Sequence, residues 1–465
     1  MPLARLEALL GPERAQRLER EGQRAREVLD GRVLWNVNST AQGGGVAEML
    51  QSLLAYARAA GIETRWLTLT ADAEFFAITK RLHNLLHGVA GDGGDLGTPE
   101  REHLKEVLAA NFDVLRTLVR PQDLVLLHDP QTAGLVEAVS ALGAKVIWRC
   151  HIGRDTGNEH TERAWQFLRP VLEPADAFVF SRHEYPPPWI PREKTRVIPP
   201  SLDPFTAKNV ELDQTTTGAT LRLAGLVQAE MGTDHPSFPR RDGSHGVVRE
   251  HRGLLLDGGE VPGTAQLVLQ VSRWDRLKDP VGVLRGFAEN LDQLPDTAHL
   301  MLAGPDVTGV ADDPEGAEVL TECMSTWQAL PSAARSRLHL ALLPMDDVDE
   351  NAHLVNALQR HADVVVQKSL VEGFGLTVPE PMWKSKPVVA SAVGGIQDQI
   401  DSGVNGILLA DPGDLDVFAD HVRKLLVDDE TAARLGTAAR ARVEERFLGD
   451  RHLMQYVDLF ASLLA

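Results

Sequence analysis

Two glutamates eight positions apart, Glu372 and Glu380, flank a short turn, Gly373-Phe374-Gly375, in the stretch QKSLVEGFGLTVPEPMWKSKPVVASAVGGIQDQ (367–399). A carboxylate in a strand-to-helix loop can accept hydrogen bonds from sugar hydroxyls, or stabilise positive charge growing on an anomeric carbon. A structural reading uses the same residues. Thr377-Val378-Pro379-Glu380 has the spacing of a helix capping box, with Thr377 as N-cap and Glu380 at its third position, which leaves Glu372 as a solvated loop charge. The two readings are compatible, because free N–H groups at a helix start also attract phosphate.

Arg273 and Lys278 lie five apart in SRWDRLKDP (272–280). Such a pair can clamp a diphosphate, Arg in a two-pronged geometry and Lys as a point charge; two surface cations on a loop is the plain alternative. Gly43-Gly44-Gly45 opens a helical pattern and allows backbone amides to approach a phosphate or sugar, although it matches neither a dinucleotide fingerprint nor a Walker sequence and equally makes a tight turn. His151 follows an apolar run and can contact a sugar hydroxyl or serve a structural end; His128-Asp129-Pro130-Gln131 has the same standing. Asp346-Asp347-Val348-Asp349 resembles a carboxylate set for a metal, but it precedes a helical pattern, where acids favour the dipole; the helix-start reading is preferred and no obligatory metal is expected.

These residues sit where strands end. Apolar runs at 32–37, 64–69, 123–128, 145–150, 177–180 and 196–198 alternate with helical patterns, and so do runs at 265–271, 299–304, 338–342, 362–366 and 387–390. Strand alternating with helix predicts an α/β chain with mostly parallel, doubly wound sheets and ligands outside the strand C-termini. At 465 residues the chain exceeds one ordinary core. The expected parts are an N-terminal domain over 1–212 led by amphipathic helices, an insertion or linker over 213–262, a second domain over 263–447, and a tail helix over 448–465. Pro199-Pro200-Ser201-Leu202-Asp203-Pro204 reads as a rigid exit from the first domain.

The formal charge is −19, from 47 Lys and Arg against 66 Asp and Glu. That disfavours nucleic acid or an anionic membrane as partner. Two cysteines, Cys150 and Cys323, argue against a disulfide framework and for a reducing cytosol. The densely charged N-terminus does not read as a signal peptide, and no run is long enough to span a bilayer.

Several segments carry a family resemblance: NVNSTAQGGGVAEML (36–50), LLHDPQ (126–131), WRCHIGRDTGN (148–158), VIPPSLDPFTAKNVEL (197–212), ALQRHADVVVQKSLVEGFGLTVPEPMWKSKPV (357–388) and AVGGI (392–396). With Glu-x7-Glu late in the second domain, the chain resembles the GT-B retaining glycosyltransferases, and more closely the trehalose glycosyltransferring synthases. The resemblance implies two Rossmann-like domains facing a central cleft and a retaining transfer of glucose from an ADP-, UDP- or GDP-glucose to free glucose, with no obligatory cofactor or metal. It implies that Glu372 contacts the transferred glucose and Glu380 the nucleotide ribose. Arg273 and Lys278 neutralise the diphosphate, Gly44 and Gly45 lie near the donor phosphates, and His151 meets the donor sugar. The amides of Phe374, Gly375 and Leu376 face sugar and phosphate, the helix start near Thr377 stabilises the departing diphosphate, and the last helix returns to the first domain. Partners are then small molecules, and a homodimer is compatible. Two prolines depart from the family pattern: Pro381 would remove an N–H from the first turn and disturb Glu380. Ser385 stands where glycine is common. Alternatives are a same-fold glucosyltransferase with a sucrose-, glycogen- or glycerate-type product, an epimerase, and a non-catalytic nucleotide-sugar-binding regulator.

Overall fold

A computed structural model describes residues 2–41, 44–228, 235–256, 259–307 and 315–465. Gly43 of the glycine run and parts of 213–262 lie outside the described residues. Contacts group the chain into two compact units. One comprises the chain up to Ser201, Glu372–Phe374 and Phe447–Ala465; the other comprises Leu202–Val371 and Gly375–Arg446.

In the first unit, β1 (Leu34–Asn38), β2 (Thr64–Thr68), β3 (Leu124–His128), β4 (Lys145–Arg149), β5 (Ala177–Phe180) and β6 (Thr195–Val197) form one sheet in the order β2-β1-β3-β4-β5-β6. Every pairing is parallel. Helices cover both faces, so the strands read as near-continuous apolar runs. Trp35 and Val37 join the core on one face. Leu34, Leu124, Leu126, Ile147 and Val179 pack on the other, where the tail helix Gly449–Leu464 contributes Tyr456, Val457, Leu459 and Phe460. That helix is tied down by Arg451, which donates to the carbonyls of Pro199 (2.7 Å) and Pro200 (2.8 Å), and by a two-pronged Arg14–Asp450 pair.

The second unit holds a two-stranded hairpin of β7 (Ser237–Pro239) and β8 (His245–Val247) and a parallel sheet of β9 (Gln266–Val271), β10 (Ala298–Pro305), β11 (Leu338–Leu343), β12 (Val364–Gln367), β13 (Val388–Ser391) and β14 (Ile407–Leu409). Its order is β11-β10-β9-β12-β13-β14. In each sheet the strand order reverses once, between β1 and β3 and between β9 and β12. The loops leaving those four strands flank the topological switch points, where doubly wound sheets bind ligands.

Two boundaries differ from the sequence reading. The division between units falls at the Pro199–Pro204 exit rather than at 212, because the carbonyls of Ala207 and Val210 accept from Asn356 and that of Asn209 from Trp383, all inside the second unit. The stretch read as an insertion or linker over 213–262 supplies core: Leu221, Leu223, Phe238, Val248 and Leu255 pack with Leu267 and Leu269 of β9. These apolar residues are too sparse in sequence to show a period, yet each of the five is buried in that core. The acidic run Asp346–Asp349 has its partners here. Asp347 caps the helix Val348–His361 through the N–H groups of Asp349 and Glu350, while Arg249 reaches Asp346, Arg240 reaches Asp347 and Arg241 reaches Asp349. The Arg249 guanidinium holds the Asp346 carboxyl down at about 2.

Ser385 follows the helix Pro379–Trp383 with a φ of 58°, a left-handed conformation that costs a residue with a Cβ roughly 1 kcal/mol. Ser385→Gly therefore raises unfolding free energy by about 0.5–1 kcal/mol in urea denaturation.

Candidate active site

In the second unit the loop after β9 is shaped by two aspartates. Asp275 accepts from the N–H of Leu277 at 2.8 Å and stabilises the short turn Arg276–Lys278. Asp279, at φ 50°, caps the helix Pro280–Glu289 through the N–H of Gly282 at 3.0 Å. The loop after β12 is held against this one. Lys368 is 1 % exposed and its ammonium meets the Asp279 carboxylate and the Pro412 carbonyl (2.7 Å). The N–H of Leu370 donates to the carbonyl of Leu277 at 2.8 Å. Arg273 leaves 42 % of its side chain in solvent and touches Asp275 at 3.3 Å. The Lys278 carbonyl is fixed by the Gln270 amide at 3.1 Å. The structure thus gathers two cations and the backbone of both switch-point loops at one sheet edge.

Farther along, Gly375 turns the chain with φ 82° and its carbonyl accepts from Val378 N–H at 3.0 Å. The helix that follows is only Pro379–Trp383, and its N-cap is Val378. The capping box expected from Thr377 and Glu380 does not form. The Thr377 hydroxyl is buried without a hydrogen-bond partner, and the Glu380 carboxylate turns to Lys208 (3.5 Å) and to the Gln359 amide (3.4 Å). Starting one residue later also removes the expected disturbance from Pro381. Its missing N–H falls among the first orphans of the helix, and Met382 N–H reaches the Val378 carbonyl at 3.3 Å. Beside Glu380, burial pushes the Lys384 ammonium well below its ordinary pKa, against the pull of the Glu380 carboxylate. Lys384 donates to Gln359 (2.8 Å) and Asn209 (3.1 Å).

Glu372, Gly373 and Phe374 belong to the first unit. Glu372 is 8 % exposed, so it is no solvated loop charge. The Tyr185 hydroxyl donates to its carbonyl at 3.1 Å. Gly373 leaves no room for a side chain: a Cβ there would stand 2.6 Å from the His151 carbonyl oxygen. Phe374 packs edge-on against Phe447, with centroids 5.8 Å apart. His151 and Glu372 are thereby neighbours through the backbone of Gly373.

His151 itself is set by β3. Its N–H donates to the Asp129 carboxylate at 2.7 Å, its Nε2 lies 3.2 Å from His128 Nδ1, and His128 Nε2 lies 3.0 Å from Asn36 Oδ1. Burial lowers both imidazole pKa values, with Arg149 as the next cause; His128 falls to about 3 and His151 well below its ordinary value. Arg149 is fully buried and donates to the Phe180 carbonyl and the Ser181 hydroxyl. Asp129 has φ 63°, and burial raises its carboxyl to about 7 against the His151 N–H and Arg149. Gly44 opens the helix Gly44–Ala59 after β1 with φ 78°, and both Gly44 and Gly45 are exposed.

A family model described as "Trehalose synthase, N-terminal domain" matches residues 36–187, and one described as "Glycosyl transferases group 1" matches 257–442. A trehalose synthase of Pyrococcus horikoshii is 32 % identical over 98 % of this chain and 95 % of its own length. The chain belongs to the trehalose synthase family of glycosyltransferases. A family member from Rubrobacter xylanophilus is 34 % identical over 94 % of this chain and 92 % of its own. The fold is GT-B: the solved α,α-trehalose-phosphate synthase (UDP-forming) of Burkholderia vietnamiensis has a TM-score of 0.66 at 15 % identity, over 93 % of this chain and 97 % of that one.

Within this family frame the sequence passed over Asn36, Tyr185, Arg149, Lys208 and Lys368. Three carried a signal. Asn36 and Asn38 share one face of an otherwise apolar strand, Arg149 ends a buried strand, and Lys368 follows Val-Val-Val-Gln; polar groups placed so deep need partners. Tyr185 carried none, since its partner is a backbone carbonyl far away in sequence.

Asp129 gives a pH test. Below about pH 4 its acid is neutral folded or unfolded; between 4 and 7 the unfolded chain ionises first, so stability is lost as pH rises, and above 7 the loss is complete. Asp129→Asn stays neutral, tolerates the left-handed backbone and still accepts from His151. Its stability gain over wild type, on the order of 1–3 kcal/mol above pH 7, shrinks as pH falls toward 4 in urea titrations.

Proposed function

We propose that the protein is a retaining glucosyltransferase that forms trehalose from a nucleoside-diphosphate glucose and free glucose. The observation that carries this reading is the place of two cations at the second switch point, where Arg273 and Lys278 leave β9 on a loop bonded through Leu277 to the loop after β12. Near-full-length likeness to trehalose synthases supports the product.

In this reading Arg273 and Lys278 neutralise the departing diphosphate, with Gly44 and Gly45 offering backbone to the phosphates. Because the helix at Pro379 is a single turn, phosphate stabilisation rests on the amides of Phe374, Gly375, Leu376 and Thr377 more than on a helix dipole. Glu372 and His151 hold the glucose, and Glu380 the ribose, where Lys208 and Gln359 keep its carboxylate oriented. Positive charge grows on the anomeric carbon as its bond to the phosphate oxygen breaks. The glucose hydroxyl attacks from the face the diphosphate leaves, and a diphosphate oxygen takes its proton. No protein nucleophile and no obligatory metal or other cofactor is invoked. Both cysteines are free and buried, which suits a cytosolic enzyme acting on small molecules. Among the described residues no helix is long and apolar enough to cross a membrane.

Arg273→Ala should lower kcat by roughly 100-fold, the loss of about 3 kcal/mol expected for one donor to a developing anion; unchanged turnover removes the clamp role. Incubation with ADP-, UDP- and GDP-glucose plus free glucose, read by NMR, tests the reaction. An α,α-linked disaccharide with at least one donor is expected, and its absence with all three overturns the proposal.

A further inference from the structure

The chain Asn36–His128–His151, which runs from the buried sheet to partly exposed His151, has a direction. Asn36 Oδ1 is an acceptor only, so His128 Nε2, 3.0 Å away, carries the proton. A neutral imidazole has one N–H, which leaves His128 Nδ1 a bare lone pair. His151 Nε2 sits 3.2 Å from that lone pair and must donate to it. The two rings lie within 13° of parallel with centroids 5.5 Å apart, an arrangement compatible with a hydrogen bond in the ring planes. Burial disfavours a charged ring at either position, and fully buried Arg149 further opposes a second positive charge. His151 Nδ1 is then the remaining lone pair.

We propose that His128 is a positioning residue: relaying the Asn36 carbonyl, it fixes His151 as the Nε2–H tautomer, so that His151 Nδ1 accepts a hydrogen bond from a hydroxyl of the donor sugar rather than donating one. The proposal rests on the reading above in assigning His151 to the sugar, while the tautomer is a property of the free protein. The consequence is selectivity for a group that can donate. A hydroxyl satisfies the lone pair; a fluorine, an acceptor of similar size, does not.

Nitrogen-15 NMR of histidine-labelled protein, with His151 assigned through its Gln variant, reads the tautomer directly. A proton on His151 Nε2 and a bare Nδ1 is expected; a proton on Nδ1 overturns the proposal. His128→Phe and Asn36→Leu each release the ring, giving a mixture of tautomers and a roughly tenfold lower kcat, as for loss of groups that orient a ligand-binding histidine. Should His128→Phe fail to fold, Asn36→Leu and the wild-type spectrum carry the test. Wild-type tautomer and turnover in a folded variant would contradict it. Independently, among monodeoxy and monofluoro donors, the fluoro analogue at the contacted hydroxyl should be as poor as the deoxy one; rescue by fluorine would show His151 donating. Loss of the transferase reaction with the expected tautomer intact would count against the function alone.

Discussion

The buried pair between Lys368 and Asp279 is the constraint on which the loops at the second switch point depend. An ammonium 1 % exposed is tolerated only with its charge answered. Asp279 answers it while held in a left-handed backbone and capping a helix, and the Pro412 carbonyl completes the set. The pair fixes the end of β12 against the end of the loop after β9, so the Leu370–Leu277 hydrogen bond falls into register and Arg273 and Lys278 are presented from a rigid base. Removing one partner from such a pair typically costs about 3–5 kcal/mol.

The first unit uses another device for the same end. Its polar groups descend from the strand ends into the sheet: His151, His128 and Asn36 in one chain, Arg149 and His452 nearby, Ser201 accepting or donating to His452 at 2.9 Å. Low dielectric keeps these imidazoles neutral, and neutral rings pass on a defined donor–acceptor order. The tail helix covers the same face of the sheet and contributes His452 to this group of polar residues.

Much of this was legible in the chain. Apolar runs alternating with helical patterns marked eleven of the strands, roughly to their observed limits, because strands buried on both faces are continuous apolar stretches. The hairpin Ser237–Val247 and the short edge strand Ile407–Leu409 were not among them; each of their strands is only three residues long. The candidate site residues Arg273, Lys278, His151 and Glu372 were legible only as residue types after strand ends. Their support was not. The capping box at Thr377 failed because Pro379 and Pro381 suit a helix that starts one residue later, and Glu380 found Lys208 and Gln359, partners no local spacing announces. Lys368, directly after Val-Val-Val-Gln, signalled that it needs a partner, but nothing local named Asp279 as that partner.

A crystal structure with a nucleoside-diphosphate glucose bound is the most direct measurement. The diphosphate oxygens should lie within hydrogen-bond distance of Arg273 and Lys278, with the glucose against Glu372 and His151. A diphosphate held elsewhere, with the loop after β9 free of phosphate, would contradict the assignment of the donor site.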